Sequence, residues 1–145
     1  MSYESANQAP VRNEGKHISI PYAPAMASAK PLTTDLLSID VRLLYRDGIC
    51  EDGARRTLFW TAGDVIAGSV TVIGLSSLIL ITYVERSTGG PGIEKAEPVA
   101  LSWTACHFGG KRPWFICPSP RCGRRVAILY GGRVFTCRHC NELTY

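Results

Sequence analysis

Four cysteines in two tight pairs, within the stretch CPSPRCGRRVAILYGGRVFTCRHC, constrain this chain more than any other feature. Four residues separate Cys117 from Cys122, two separate Cys137 from Cys140, and fourteen lie between the pairs. Intervals this short let two thiolates of one loop reach a single tetrahedral ion. Between the pairs, RVAILY and RVFTC are alternating apolar segments around Gly131-Gly132, which predicts a β-hairpin with a two-residue turn. A hairpin carries one pair back beside the other. The stretch therefore reads as a zinc ribbon of two knuckles and one hairpin, with Cys117, Cys122, Cys137 and Cys140 holding one structural Zn2+. Four thiolates fill the shell and leave no position for water or substrate, which argues against a catalytic metal.

Other uses of the pairs fit less well. A thioredoxin-like role for CRHC needs a surrounding βαβ pattern, which is missing, and c-type haem attachment needs a His where Asn141 stands. Cys106 and His107, adjacent in TACHFGG, would point to opposite sides of a strand and do not suit a nucleophile with its base. Cys106 reads as a small buried residue, His107 as a loop residue, His139 as an exposed polar or phosphate-contacting side chain, and Cys50 as packing. The N-terminal stretch MSYESANQAPVRNEGKHISI holds no apolar run followed by a cleavage site, so the expected setting is the reducing cytoplasm, where paired cysteines bind metal.

The formal charge of +4 is unevenly divided. Residues 1–97 carry nine Lys/Arg against eleven Asp/Glu, whereas residues 98–145 carry seven Lys/Arg against Glu142 alone. That basic set is Lys111, Arg112, Arg121, Arg124, Arg125, Arg133 and Arg138, interleaved with Trp114, Tyr130, Phe135 and Tyr145. Arginines on a rigid frame beside aromatic faces suit phosphate contact with base stacking, so nucleic acid is the expected partner. The alternative is a protein-interaction module, including a phage-encoded modulator, whose basic face meets an acidic host protein. The FGGK stretch is not a phosphate-binding loop: Ala105 and Arg112 stand where that motif needs Gly and Ser or Thr. No paired carboxylates, open metal position or activated nucleophile stand out, so no enzyme activity and no small-molecule substrate are expected.

Upstream, residues 1–34 mix Pro, Ala, Ser and Asn without apolar periodicity and read as a flexible arm. In LLSIDVRLLYRDG, Asp40 is placed to cap a short helix with Val41, Leu44 and Tyr45 on one face and Gly48 as its stop. RTLFWTA, DVIAGSVTVI, SLILITYVER and EPVALSWTA then read as strands, with turns at Gly63-Asp64, at Gly74 to Ser77 and in STGGPGIEKA. Val65 to Val84 is long and uncharged enough to span a bilayer, but its glycines, serines, β-branched residues and central turn signal favour a buried hairpin. No membrane association is expected. The fold is thus expected to be mainly β: an arm (1–34), a short helix with an antiparallel β-meander (35–104), and a basic zinc ribbon (105–145).

The run from Thr104 to Tyr145, together with LLSIDVRLLYRDG, resembles a family of small bacterial and prophage-encoded proteins that end in a zinc ribbon. The resemblance covers roughly residues 36–145 and is sharpest over 108–145. It implies Cys117, Cys122, Cys137 and Cys140 as zinc ligands and brings no established activity. It places the chain in a bacterial or prophage setting, so the nucleic-acid reading becomes that of an accessory protein of a bacterium or mobile element.

Overall fold

The protein is described by a computed structural model covering residues 32–33, 36–85, 89–132 and 134–145. The expected arm lies outside these residues except for Leu32 and Thr33, and so does Arg133. Leu32 forms an isolated parallel bridge with Thr144, and the Thr33 N–H donates to the Thr144 carbonyl at 2.9 Å.

In chain order the elements are β1 (Leu37–Asp40), α1 (Val41–Arg46), β2 (Arg55–Ala62), β3 (Val65–Leu75), β4 (Leu78–Glu85), β5 (Ile93–Ala105), β6 (Lys111–Ile116), β7 (Arg125–Val126), β8 (Ile128–Gly131) and β9 (Phe135–Thr136). Strands β2 to β7 form one antiparallel sheet in sequence order, the expected meander, and β1, β8 and β9 form a second sheet. Residues directly opposed across an antiparallel ladder share a face. On the inner face Trp60, Val70, Val72, Ile79, Ile81, Val99 and Phe115 are buried. Against them pack Ile39, Val41, Leu44, Ile49, Leu129 and Phe135 from the second layer, giving one core. The six-stranded sheet runs unbroken across residue 105, and β1 pairs with β8 over Leu37 to Asp40, so the cysteine-rich end shares this core.

Helix α1 starts as its cap residue dictates. The Asp40 carboxylate accepts from the Arg42 N–H at 2.9 Å, and Gly48 ends the turn at φ 74°. Val41 and Leu44 are buried, whereas Tyr45 remains half exposed and meets Trp103 edge-on at 5.4 Å. β1 escaped the sequence reading because LSID is four residues whose partner, β8, lies some ninety positions away.

The uncharged run from Val65 to Val84 is the β3–β4 hairpin, and no helix among the described residues is long and apolar enough to cross a membrane. Its turn is Ser76-Ser77, since Leu75 pairs with Leu78, and Gly74 lies within β3. Gly74 is there because of a close approach: a Cβ would strike the carbonyl oxygens of Ile49 and Glu51. The expected Gly131-Gly132 turn is displaced. Gly131 pairs with Phe135, so it closes β8, and its missing side chain makes room for the Phe135 ring, 2.9 Å from where a Cβ would stand.

Candidate metal centre

The first knuckle hangs from the end of β6. Cys117 leaves that strand, its N–H donating to the Arg124 carbonyl at 2.9 Å, and Arg125 then rejoins the sheet as β7 opposite Ile116. Inside this closed loop the Cys122 N–H donates to the Ser119 carbonyl at 3.0 Å, and Gly123 takes φ 60°, the left-handed step that turns the chain back. The second knuckle follows β9. The N–H groups of Asn141, Glu142 and Leu143 donate to the carbonyls of Cys137, His139 and Arg138 at 3.0 to 3.1 Å. Glu142 carries φ 52°, the one left-handed non-glycine residue among those described.

These two loops bring the four sulfurs to one point. All four Sγ atoms lie within 4.8 Å of one another, with Cys117 to Cys140 at 3.8 Å and Cys122 to Cys137 at 3.7 Å. A disulfide needs about 2.05 Å, so none of the four is paired in one. A tetrahedron with metal–sulfur bonds of about 2.3 Å has edges of about 3.8 Å, which these two pairs match. The cluster can therefore hold a metal ion, and its donors are the soft thiolates that zinc accepts.

The surroundings suit thiolates that share a cation. Cys117 and Cys137 are buried, Cys122 is half buried and Cys140 reaches the surface. Burial pushes the Cys117 thiol up to about 12, so its anion needs a positive partner. Cys122 moves the other way, down to about 7, chiefly because the Arg124 backbone N–H donates to its sulfur. The Cys137 N–H donates to Cys117 Sγ at 3.4 Å. Such N–H donors orient metal-bound sulfurs and spread their charge.

Two residues that build the site went unnoticed in the sequence. The Asn141 side-chain amide donates into a group of acceptors: the Tyr130, Thr136 and Cys137 carbonyls and the Thr136 hydroxyl, at 2.9 to 3.3 Å. It pins the second knuckle to the hairpin, and its Oδ1 lies 2.6 Å from where a Cβ on Gly132 would stand. Glu97 on β5 accepts from the Phe135 N–H at 2.9 Å and from the Tyr83 hydroxyl, joining the sheet to β9. Asn beside the second pair and a Gly-Gly upstream were visible signals for the first; nothing local marks the second.

No protein-family model, curated protein or solved structure matches this chain.

The basic residues are spread over several surfaces. Arg112 and Arg125 share the outer face of the six-stranded sheet with Trp114 and Ile116, because Ile116 opposes Arg125 and positions 112, 114 and 116 alternate. Lys111 turns to the other face at the strand's end. Arg121 and Arg124 lie exposed on the first knuckle, and half-buried Arg138 on the second places its guanidinium 4.3 Å from the Tyr145 ring centroid. Among the described residues none of these six cations is in an ion pair. Tyr130 and Phe135 are buried, so of the interleaved aromatics only Trp114 and Tyr145 offer surface. Cys106 is exposed, contrary to its expected burial, because the chain leaves β5 there and enters the β5–β6 turn. Cys50 is buried as expected, and His139 is exposed.

Proposed function

We propose that the four-cysteine centre holds one structural zinc and that the surface it stabilises binds nucleic acid, as an accessory protein and not as an enzyme. The metal supplies folding energy: structural zinc in small domains is worth about 10–16 kcal/mol at neutral pH, comparable with the whole stability of a domain. With all four positions taken by sulfur, the ion has no site for substrate. The observation that carries the binding reading is the set of exposed arginines without ion-pair partners, Arg112, Arg121, Arg124 and Arg125, on the knuckle and the strands that hold it. A carboxylate-poor surface of this kind attracts polyanions, and guanidinium groups match phosphate geometry. Free thiolates suit a reducing compartment, hence the cytoplasm. The mobile-element setting rests on the family resemblance alone.

Fluorescence anisotropy of the zinc-loaded protein with labelled DNA and RNA at two salt concentrations tests this. Affinity should fall steeply with salt, with a log–log slope of about −0.7 to −0.9 per phosphate contacted, and little with sequence. The double variant Arg124→Glu, Arg125→Glu should lose binding while keeping its metal. Absence of binding at low salt would refute the reading. Retention of an acidic protein after nuclease treatment would then favour the alternative, which uses the same arginines.

A further inference from the structure

The β5–β6 turn holds Phe108 almost wholly in water, 97 % exposed. The turn is closed by two backbone hydrogen bonds. Its Cys106 N–H donates to the Gly110 carbonyl at 3.1 Å, the Gly109 N–H to the Cys106 carbonyl at 3.2 Å, and Gly109 and Gly110 take φ 92° and 77°. A turn of this shape needs its two glycines and places no demand on position 108, where a polar side chain would avoid exposing an aromatic ring. His107 meets Phe108 in a T-shaped contact, at 5.0 Å between ring centroids, and at 97 % exposure the Phe108 ring stays open to a ligand.

Along the adjoining strand stands a second flat surface. The Trp114 indole N–H donates to the Thr104 hydroxyl at 2.9 Å, fixing the ring on the outer sheet face. The Arg112 guanidinium lies 3.9 Å from the centroid of that ring. A guanidinium stacked on a pinned indole presents a planar cation, and bases stack on such planes as they do on aromatic rings.

We propose that Phe108 and the Arg112–Trp114 stack form a base-stacking site, so that the preferred ligand is a single strand with unpaired bases. The inference rests on the nucleic-acid reading and sharpens it. In a duplex the bases already stack on each other and present no free face, so these rings gain only from an unpaired strand. An anionic membrane is the other partner an exposed Phe beside cations would fit. It is disfavoured because the second aromatic is tethered to Thr104 by its own hydrogen bond, is partly buried and lies under the Arg112 guanidinium, so it is not free to insert.

The test compares the zinc-loaded parent with Phe108→Ala and Phe108→Tyr, using labelled oligo-dT, oligo-U RNA, a duplex of matched length, and phosphatidylserine-containing vesicles. Phe108 makes no core contact, so both variants should fold and keep their metal. Phe108→Ala should weaken single-strand binding about tenfold without changing the salt slope or duplex binding, and Phe108→Tyr should restore it. The oligo-dT and oligo-U arms show whether the bases come from DNA or RNA. Unchanged single-strand affinity in Phe108→Ala, with binding still abolished by the Arg124→Glu, Arg125→Glu variant, would overturn the stacking site and leave the nucleic-acid reading standing. Equal losses on duplex and single strand would also overturn it. Binding to vesicles with none to any nucleic acid would overturn both.

Discussion

Glu97 should be among the most costly polar residues to truncate, because it ties the cysteine-bearing hairpin to the large sheet. Its carboxylate takes the Phe135 N–H at 2.9 Å and the Tyr83 hydroxyl, and Tyr83 packs edge-on against Phe135 at 5.7 Å. Hydrogen bonds to a charged group are worth about 1.5–3 kcal/mol each, and Glu97 is only partly buried, so water recovers some of the loss. Glu97→Ala should therefore destabilise by about 2–4 kcal/mol. At a urea m-value of about 2 kcal/mol/M this lowers the midpoint by 1–2 M. Glu97→Gln should lose less, since an amide oxygen still accepts one of the two donors. In a double-mutant cycle with Tyr83→Phe, the two changes should fall short of additivity by about 1 kcal/mol or more. Urea unfolding of the zinc-loaded proteins at neutral pH measures all of this. A Glu97→Ala midpoint indistinguishable from the parent would refute the argument that this carboxylate joins the two layers.

Gly74→Ala should cost about 2–4 kcal/mol, because the new methyl meets the Ile49 and Glu51 carbonyls and disturbs the bonds Gly74 makes to Gly53 and Ala54; thermal unfolding checks it. Cys50 adds a pH dependence: burial raises its thiol from 9.0 to about 11. The native state then keeps a proton that the unfolded chain releases, so this contribution is whole below pH 9 and is lost as pH rises through about 11. Cys50→Ala should flatten the stability profile over that window relative to the parent, as read by urea midpoints across it.

What the sequence made legible is local. The knuckle spacings single out four cysteines that the structure does bring together, since each pair is set by its own short loop and the alternation of RVAILY and RVFTC carries one loop to the other. Asp40 as a cap and the strands of the meander were equally readable, because capping and period-two patterning act over a few residues. Contacts between distant segments were not. The pairing of β1 with β8, the reach of Glu97 to Phe135 and the approach of Gly74 to the Ile49–Glu51 loop each join stretches that carry no mutual signature. The role of two glycines was hidden for the same reason: Gly74 and Gly131 are glycine because a neighbour crowds them, so the β3–β4 turn occupies only the Ser76-Ser77 end of the expected range and the β8–β9 turn lies beyond Gly131. Cys106 was misplaced because its burial depended on where β5 ends.

X-ray absorption of the purified protein, with metal analysis of the same sample, reads the occupant of the four-cysteine centre and its shell. One zinc per chain is expected, with a shell of four sulfurs at about 2.3 Å, and its loss on chelation should bring cooperative unfolding, because Leu129 and Phe135 of the hairpin lie in the common core. A nitrogen or oxygen ligand in the shell, or a metal-free protein that melts where the purified one does, would contradict this.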